Sequence, residues 1–323
     1  MPAARRGAEA LVEADLQGKG SHGALQAEAY LARLLAGSMT NAETIAIVRD
    51  QGATIVVDAQ AMLGHLAAEQ AMELAVDRAK SHGVAIVAMR NGFHFGVAGR
   101  YARMATEKGC VGIVMCNTRP TIPAPGGAEK LVGTNPIAIA LPTAEPPAIV
   151  FDIASSAGSV GKIRQALAAG KPIPEGWATD AEGVPTTDAA EAMKGFLLPS
   201  GGPKGFGLAF VIDLLAGALA GGGWGPTLGE MRGDLTKPYN GSSIFIAIEV
   251  EHFRPLAEFA AETQAGADRV RNSRRAPGVD RIYTPGERAW ETQQSSTAIK
   301  LQLSVIDSLN GVASKLGVAP LQR

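Results

Sequence analysis

The chain has 323 residues, of which 46% are hydrophobic and 19% charged, and its formal net charge is -1. This composition is sufficient for a sizeable core, while the near-balanced charge and the 5% aromatic content argue against nucleic acid or an anionic membrane as the main partner. No apolar run approaches the roughly 20 residues of a membrane span, and the basic start lacks the apolar segment of a signal peptide.

The two cysteines flank an apolar stretch that is predicted to be a strand. At this spacing Cys110 and Cys116 lie on the same face of the strand, and an extended segment of that length holds them roughly 20 Å apart. They therefore cannot bridge along the strand. We expect two small buried thiols in a reducing compartment, and hence a cytoplasmic protein.

Hydrophobic periodicity predicts helices toward both ends of the chain and strands in its middle. The predicted helices span 4–17, 24–36, 64–81, 161–169, 254–271 and 297–316, with a further one around Tyr101, Met104 and Ala105. The predicted strands span 54–57, 84–89, 110–116, 136–141, 148–153 and 244–249. The stretch 205–221 is apolar on most faces and is predicted to be a buried helix.

This order of elements predicts an α+β protein. The terminal segments, residues 1–50 and 254–323, are expected to form one helical domain. Residues 51–253 are expected to form an α+β domain that binds cofactor and substrate. Strands and helices do not alternate in strict βαβ order after residue 116, so a regular doubly wound fold is not favoured.

His94 occupies the most suggestive position in the sequence. It lies in a glycine-rich turn, Asn91-Gly92-Phe93-His94-Phe95-Gly96, between a predicted strand and a predicted helix. Catalytic groups collect in such turns because a rigid scaffold holds an exposed side chain there. The other histidines are scattered, and those at 65, 82 and 252 are expected to be structural or solvated.

Gly18-x-Gly20-x-x-Gly23 matches the dinucleotide-binding fingerprint by its letters alone. It follows a predicted helix instead of a strand, and no strand with a terminal acid comes about 20 residues later. We therefore predict a turn between two helices. That turn carries two side chains able to form hydrogen bonds, Ser21 and His22.

Few other residues of the sequence are candidates for a functional role. Lys204 lies among glycines at the start of an apolar helix, which suits anion capture as well as it suits a surface lysine. Asp180 is a candidate acid in a turn, and Thr118 a candidate hydroxyl. The chain has no P-loop, no Gly-x-Ser-x-Gly elbow and no metal-ligand spacing.

Several motifs follow one another in a fixed order. They are Ser21-His22-Gly23 with Tyr30, Asn91-x-x-His94-x-Gly96-x-x-Gly99-x-Tyr101, Gly133-Thr134-Asn135-Pro136, Phe151-Asp152-Ile153-Ala154, Gly176-Trp177-Ala178-x-Asp180, Gly202-Pro203-Lys204-Gly205 and Pro285-Gly286-Glu287. Together they resemble the malate/L-lactate dehydrogenase family over nearly the whole chain. Its relatives include sulfolactate and ureidoglycolate dehydrogenases, diketogulonate reductase and Δ1-piperideine/Δ1-pyrroline-2-carboxylate reductases.

The resemblance implies NAD- or NADP-dependent reduction of a small 2-oxo acid to a 2-hydroxy acid, or the reverse oxidation. It implies a cofactor domain that is not a Rossmann fold, built on a largely antiparallel sheet as in sulfolactate dehydrogenase. It also implies a homodimer. Neither nucleic acid nor membrane is expected as a partner.

The resemblance also assigns roles to residues of this chain. The implied catalytic residues are His94 and Asp180, with His94 as proton donor and acceptor. The implied substrate-binding residues are Ser21, His22, Gln26 and Thr118. The implied cofactor-binding residues are His94, Thr118, Thr134, Asn135, Asp152, Ile153, Ala154, Lys204, Gly286 and Glu287. No metal is expected.

The chain departs from the family pattern in two places. Family members usually carry an arginine three residues after the Ser-His-Gly glycine, suited to clamping a carboxylate, and here that position is Gln26. Either another cation replaces it, with Arg119 and Lys130 as candidates, or the substrate differs. The family's first helix is also expected to be missing. The alternatives are therefore a cyclic 2-imino acid reductase and a non-catalytic ligand- or cofactor-binding relative.

Overall fold

A seven-stranded sheet forms the centre of the molecule, and the computed structural model describes residues 2–321 of the chain. Its strands are β1 (Ala46–Gln51), β2 (Thr54–Asp58), β3 (Val84–Gly92), β4 (Cys110–Cys116), β5 (Ile137–Leu141), β6 (Ile149–Ile153) and β9 (Gly241–Glu249), in the order β1-β2-β3-β9-β4-β5-β6. Two short strands, β7 (Ala178–Thr179) and β8 (Pro185–Thr186), form a separate hairpin.

Helices cover the sheet and gather at the chain ends. They are α1 (Pro2–Leu16), α2 (Ala27–Ala36), α3 (Gly64–His82), α4 (Ala98–Thr106), α5 (Val160–Ala168), α6 (Ala189–Lys194), α7 (Pro203–Asp213), α8 (Leu256–Arg271), α9 (Glu287–Ser295) and α10 (Leu303–Lys315). A π-helical turn, Leu214–Ala218, continues α7. Within the described residues, no helix is long and apolar enough to cross a membrane.

The sheet is largely antiparallel, as predicted. β2 and β3 pair in parallel through the crossover helix α3, while the pairings of β3 with β9, β9 with β4, β4 with β5 and β5 with β6 are antiparallel. The structure therefore confirms an α+β fold that is not doubly wound. The last strand of the sequence, β9, enters the middle of the sheet, which no local pattern could indicate.

The main core lies between this sheet and the two helices α3 and α4. Val57, Val87 and Phe245 on the sheet are fully buried against the alanine-rich faces of these helices. Small residues let the layers approach closely, since a Cβ on Gly112 would lie 2.2 Å from the carbonyl oxygen of Ala102. This tight packing fixes the ends of β3 and α4, between which His94 lies.

Most predicted elements are confirmed, including the strand over 110–116 and its two buried free cysteines. The strands β1, β7 and β8 and the helices α6 and α9 were not predicted. β1 ends at Gln51, one residue beyond the domain boundary expected at residue 50. Of the terminal helices, α1 packs against α3 and α10 contacts α2. The division into two domains stays a prediction.

The prediction of a buried helix over 205–221 is wrong within this chain. α7 and the π-helical turn bury Ala209 and Ile212 but leave Phe210, Val211 and Leu219 46%, 51% and 62% exposed. An apolar helix is expected to be shielded from water, but its sequence does not say whether its own chain or another molecule covers it. The sequence alone therefore did not predict the exposed face of α7.

Candidate active site

His94 follows the end of β3 and lies at the surface of the core. The buried aromatic rings of its two neighbours in the chain fix the turn that carries it. Phe93 and Phe95 are each 4% exposed, and the Tyr101 hydroxyl donates a hydrogen bond of 2.7 Å to the carbonyl oxygen of Phe95. The first residue of α3 packs on the same backbone, since a Cβ on Gly64 would lie 2.4 Å from the carbonyl oxygen of His94. The half-buried imidazole therefore has a rigid base.

The Tyr30 hydroxyl orients the His94 ring. Its oxygen lies 2.5 Å from Nδ1 of His94. Burial raises the pKa of Tyr30 above its usual value, so the phenol stays neutral and its oxygen can accept a hydrogen bond. When Nδ1–H of His94 donates to this oxygen, Nε2 of the neutral imidazole carries the free lone pair. Nε2 is then the atom left to exchange a proton with a substrate.

His22 stacks on His94 with ring centroids 5.6 Å apart and an interplanar angle of 25°. It belongs to a single 3₁₀ turn, Gly20–His22, between α1 and α2, and Ser21 Oγ lies 2.9 Å from its Nδ1. The predicted helix–helix turn is thus confirmed in place of a dinucleotide-binding loop. It places His22 against His94, with Ser21 in contact with His22.

Glycine at position 23 allows this turn to close. A Cβ there would lie 2.3 Å from the carboxylate of Asp15, whose Oδ2 accepts a 2.8 Å hydrogen bond from the backbone N–H of Ala24. Asp15 therefore ties the end of α1 to the start of the next turn. The Ser-His-Gly motif is held by this packing, with His22 stacked on His94 and Ser21 beside His22.

The histidines of this cluster favour their neutral forms. Burial lowers the pKa of His94 well below its ordinary value, and His22, His65 and Arg232 lower it further by charge repulsion. Burial also lowers the pKa of His65 to about 4, with a smaller effect from His22. His65 is 1% exposed, and among the described residues neither of its ring nitrogens has a hydrogen-bond partner.

Gln26 makes contacts that the sequence did not predict. Its Nε2 donates to the carbonyl oxygen of Ser21 at 2.7 Å, and its Oε1 accepts a hydrogen bond of 3.0 Å from the guanidinium of Arg232. The two cations expected as replacements are engaged elsewhere. Arg119 pairs with Glu230 at 2.5 Å, and Lys130 lies over the ring of Phe196.

A cavity of about 380 Å³ opens next to the turn that carries His22. It lies between α4, the loop that joins β5 to β6, and α9, and Lys19, Arg103, Gly286 and Trp290 border it. Lys19 pairs with Asp152 at 3.0 Å. The cavity therefore adjoins two of the predicted cofactor-binding stretches, one at the end of β6 and one at the start of α9.

Thr118, Thr134 and Asn135 form a second connected group at the ends of β4 and β5. The side-chain oxygen of Asn135 accepts the backbone N–H of Thr118 at 2.8 Å, and the two threonine hydroxyls lie 3.4 Å apart. Asn135 is fully buried and donates to the carbonyl oxygen of Ala209 in α7. The structure brings these three predicted residues together, and their role stays a prediction.

Other predicted residues have partners of their own. The Asp180 carboxylate accepts backbone N–H groups within its own turn, and within residues 2–321 no hydrogen bond or ion pair joins it to His94. Burial alone raises the pKa of Glu287, but hydrogen bonds from Thr284 and Arg271 lower it to about 2. Their functional roles stay predictions, as do those of the exposed Ile153, Ala154 and Lys204.

The sequence and the fold match a known family. Residues 2–310 match the model of the malate/L-lactate dehydrogenase family, and the chain belongs to that family. It is 37% identical over 325 residues to the malate dehydrogenase of Pyrococcus abyssi, covering 98% of this chain and 89% of that one. The predicted oxidoreductase class, acting between 2-oxo and 2-hydroxy acids, is thereby confirmed.

Two solved structures of related enzymes share this fold. The sulfolactate dehydrogenase of Methanocaldococcus jannaschii superposes with a TM-score of 0.93 at 36% identity, covering 98% of this chain and 91% of that one. The Δ1-piperideine-2-carboxylate reductase of Pseudomonas syringae superposes with a TM-score of 0.80 at 28% identity, covering 91% and 88%. The fold expected from the sequence motifs is confirmed.

Sequence reasoning missed three polar residues of the site. Lys19 lies in the turn discarded as a fingerprint, His65 was expected to be structural or solvated at its helix end, and Arg232 lies 138 residues beyond His94. Only Lys19 gave a local signal, as the one cation in a glycine-rich turn beside Ser21. The contact of Arg232 with Gln26 depends on how distant segments fold together.

Proposed function

We propose that this protein interconverts a small 2-oxo acid and its 2-hydroxy acid with NAD or NADP, using His94 as general acid and base. The observation that carries this proposal is the hydrogen bond between Tyr30 and Nδ1 of His94. It leaves Nε2 as the exchanging atom on a half-buried, oriented ring. Hydride transfer between the nicotinamide and the substrate carbon is the chemistry that the bound cofactor supplies.

Proton transfer to and from the substrate is carried out by His94. During oxidation of a hydroxy acid, neutral His94 accepts the hydroxyl proton at Nε2, and its lowered pKa keeps it neutral and ready to accept. During reduction, protonated His94 donates from Nε2 to the oxygen that gains negative charge. The carboxylate of a bound 2-oxo acid supplies a nearby negative charge that favours the protonated form.

The cavity beside Lys19 fits part of a dinucleotide. Lys19 supplies a positive charge suited to phosphate, and the Trp290 indole offers an aromatic surface. Arg103 also borders the cavity, with its guanidinium paired to Glu13 and Glu107. Gly99 and Gly286 keep its walls open at two crowded points, since a Cβ on either would come within 2.9 Å of Asp152 or Val150. We propose that Lys19, Asp152 and Gly286 contact the cofactor.

A panel of cofactors and substrates tests the proposal. NADH and NADPH are each combined with pyruvate, oxaloacetate, other small 2-oxo acids and cyclic 2-imino acids, and oxidation is followed at the nicotinamide absorbance. We expect turnover of at least one 2-oxo acid that His94→Ala abolishes. Cofactor binding without turnover of any substrate would instead support a non-catalytic relative.

A cyclic 2-imino acid is the second candidate substrate. Gln26 stands where an arginine is usual, and one structural relative is named a Δ1-piperideine-2-carboxylate reductase. Protonated His94 can also transfer its proton as an imine carbon receives hydride. The same panel separates the two, because a ketimine reductase prefers the cyclic imine over every open-chain 2-oxo acid.

We propose that the protein is a homodimer that uses the exposed face of α7. Exposed apolar side chains lie along this helix and its π-helical continuation: Leu208, Phe210, Val211, Leu215 and Leu219. A two-fold axis lets such a surface pack against its own copy. Light scattering is expected to give twice the chain mass, and Phe210→Glu with Leu219→Glu to give a monomer. The cytoplasmic location stays a prediction.

A further inference from the structure

We infer that Arg232 binds the substrate carboxylate, taking the role that an arginine at position 26 would have. This inference rests on the proposed function and names the group that recognises its substrate. The Arg232 guanidinium lies 3.0 Å from Gln26 Oε1, and Gln26 holds the backbone of Ser21. Ser21 contacts His22, which stacks on His94, so the cation stands at the edge of the histidine cluster.

Arg232 has hydrogen-bonding capacity to spare. It is exposed, and it pairs with no carboxylate among residues 2–321, whereas Arg119 pairs with Glu230 in the same loop. A guanidinium carries five N–H donors, and the contact with Gln26 uses one of them. Its free edge can therefore form the two parallel hydrogen bonds that a carboxylate accepts from arginine.

A buried arginine fixes the loop that carries Arg232. Arg33 is 1% exposed and donates to the backbone carbonyls of Met231 at 2.9 Å and Lys237 at 2.6 Å. It also donates to the carbonyls of Glu230 and Asp234. These bonds tie residues 230–237 to α2, the same helix that supplies Tyr30. An ordered loop lowers the entropy cost of holding Arg232 in place when the substrate binds.

Gln26 suits this arrangement better than a second cation would. Its amide oxygen accepts from Arg232 while its amide nitrogen donates to Ser21, so one neutral side chain positions both groups. An arginine at position 26 would offer no acceptor and would repel Arg232. The positive charge that an arginine at position 26 would supply is therefore supplied by Arg232. The neutral amide of Gln26 orients the Arg232 guanidinium.

Binding of oxamate, an inert 2-oxo acid analogue, tests this inference without requiring turnover. Calorimetric titration with oxamate is performed in the presence of NADH and of NADPH, on the wild type, on Arg232→Met and on Arg119→Met. We expect Arg232→Met to weaken oxamate binding about 100-fold, because two charge-assisted hydrogen bonds are lost. Arg119→Met, which removes a neighbouring cation already paired with Glu230, is expected to change it less than about threefold.

Two further measurements sharpen the outcome. Arg232→Lys is expected to recover part of the affinity, and oxamide, the uncharged counterpart, should bind wild type and Arg232→Met alike. Unchanged oxamate affinity in Arg232→Met, or an equal loss in Arg119→Met, would overturn the role of Arg232. Wild type that binds oxamate through Arg232 but reduces no substrate would overturn the proposed function alone, whereas wild type that binds no oxamate would overturn the inference.

Discussion

The two sides of the site are built in opposite ways. On the histidine side, His94 is half-buried on a turn packed between β3 and α4, and burial favours its neutral form. On the arginine side, Arg232 is exposed and charged, on a loop fastened by backbone carbonyls to the buried Arg33. Proton transfer requires a group whose pKa its surroundings adjust, while capture of a carboxylate from water requires a cation that never titrates.

The largest expected effect concerns the histidine side. His94→Ala is expected to lower kcat at least about 100-fold, because it removes the only group proposed to exchange the substrate proton. His82→Ala, which alters an exposed histidine at the end of α3, serves as the matched control and should keep kcat within about twofold. Steady-state rates of the two variants check this, and near-normal turnover of His94→Ala would exclude its role.

Tyr30→Phe gives the next largest effect. The substitution keeps the buried ring and removes the hydroxyl bound to Nδ1 of His94, so the imidazole loses the partner that sets its tautomer. We expect kcat to fall about 10- to 100-fold, in the range of other groups that orient a functional histidine. Substrate affinity should stay within about threefold, and if kcat is unchanged the hydroxyl does not orient His94.

Arg33→Met tests whether Arg33 holds the loop that carries Arg232. It leaves several carbonyl oxygens of residues 230–237 without their buried donor, so we expect the free energy of unfolding to fall by about 2–4 kcal/mol. KM for the 2-oxo acid should rise as it does for Arg232→Met, because the loop no longer holds its cation. Urea denaturation and steady-state kinetics check both, and an unchanged KM in a destabilised variant would separate the loop from substrate binding.

The smallest expected effect is a shift in pH dependence. Oxidation needs neutral His94, so kcat/KM for the hydroxy acid should stay level as the pH falls through 6.5 and decline only at the lower pKa of this residue. His22, His65, Tyr30 and Arg232 face the ring. Arg232→Met removes a repelling charge and should move the decline to higher pH. A profile that is the same in both proteins would show that Arg232 does not influence His94.

The same contrast explains what the sequence predicts and what it does not. The apolar run before residue 90, the turn around His94 and the Ser21-His22-Gly23 motif are local patterns, and the structure brings these residues together as expected. Arg232 has no local signature. Its position depends on Arg33, some 200 residues earlier, so only the folded chain shows which cation lies beside Gln26.

Burial was predicted correctly in one place and wrongly in another. His65 at a helix end was expected to be structural or solvated, and it is buried against Tyr30, with ring centroids 5.6 Å apart. The apolar stretch 205–221 was expected to be buried, yet one face of α7 is exposed. Side-chain chemistry alone does not say which surface a residue meets, because that depends on the packing of distant elements.

One measurement tests the central claim that the two sides do separate work. Kinetic constants for a 2-oxo acid and for its uncharged amide are determined for wild type, His94→Ala and Arg232→Met. We predict that His94→Ala lowers kcat for both substrates alike, while Arg232→Met raises KM for the acid about 100-fold and leaves the amide unchanged. If both variants lower kcat and raise KM in the same proportion for acid and amide, this division of roles is wrong.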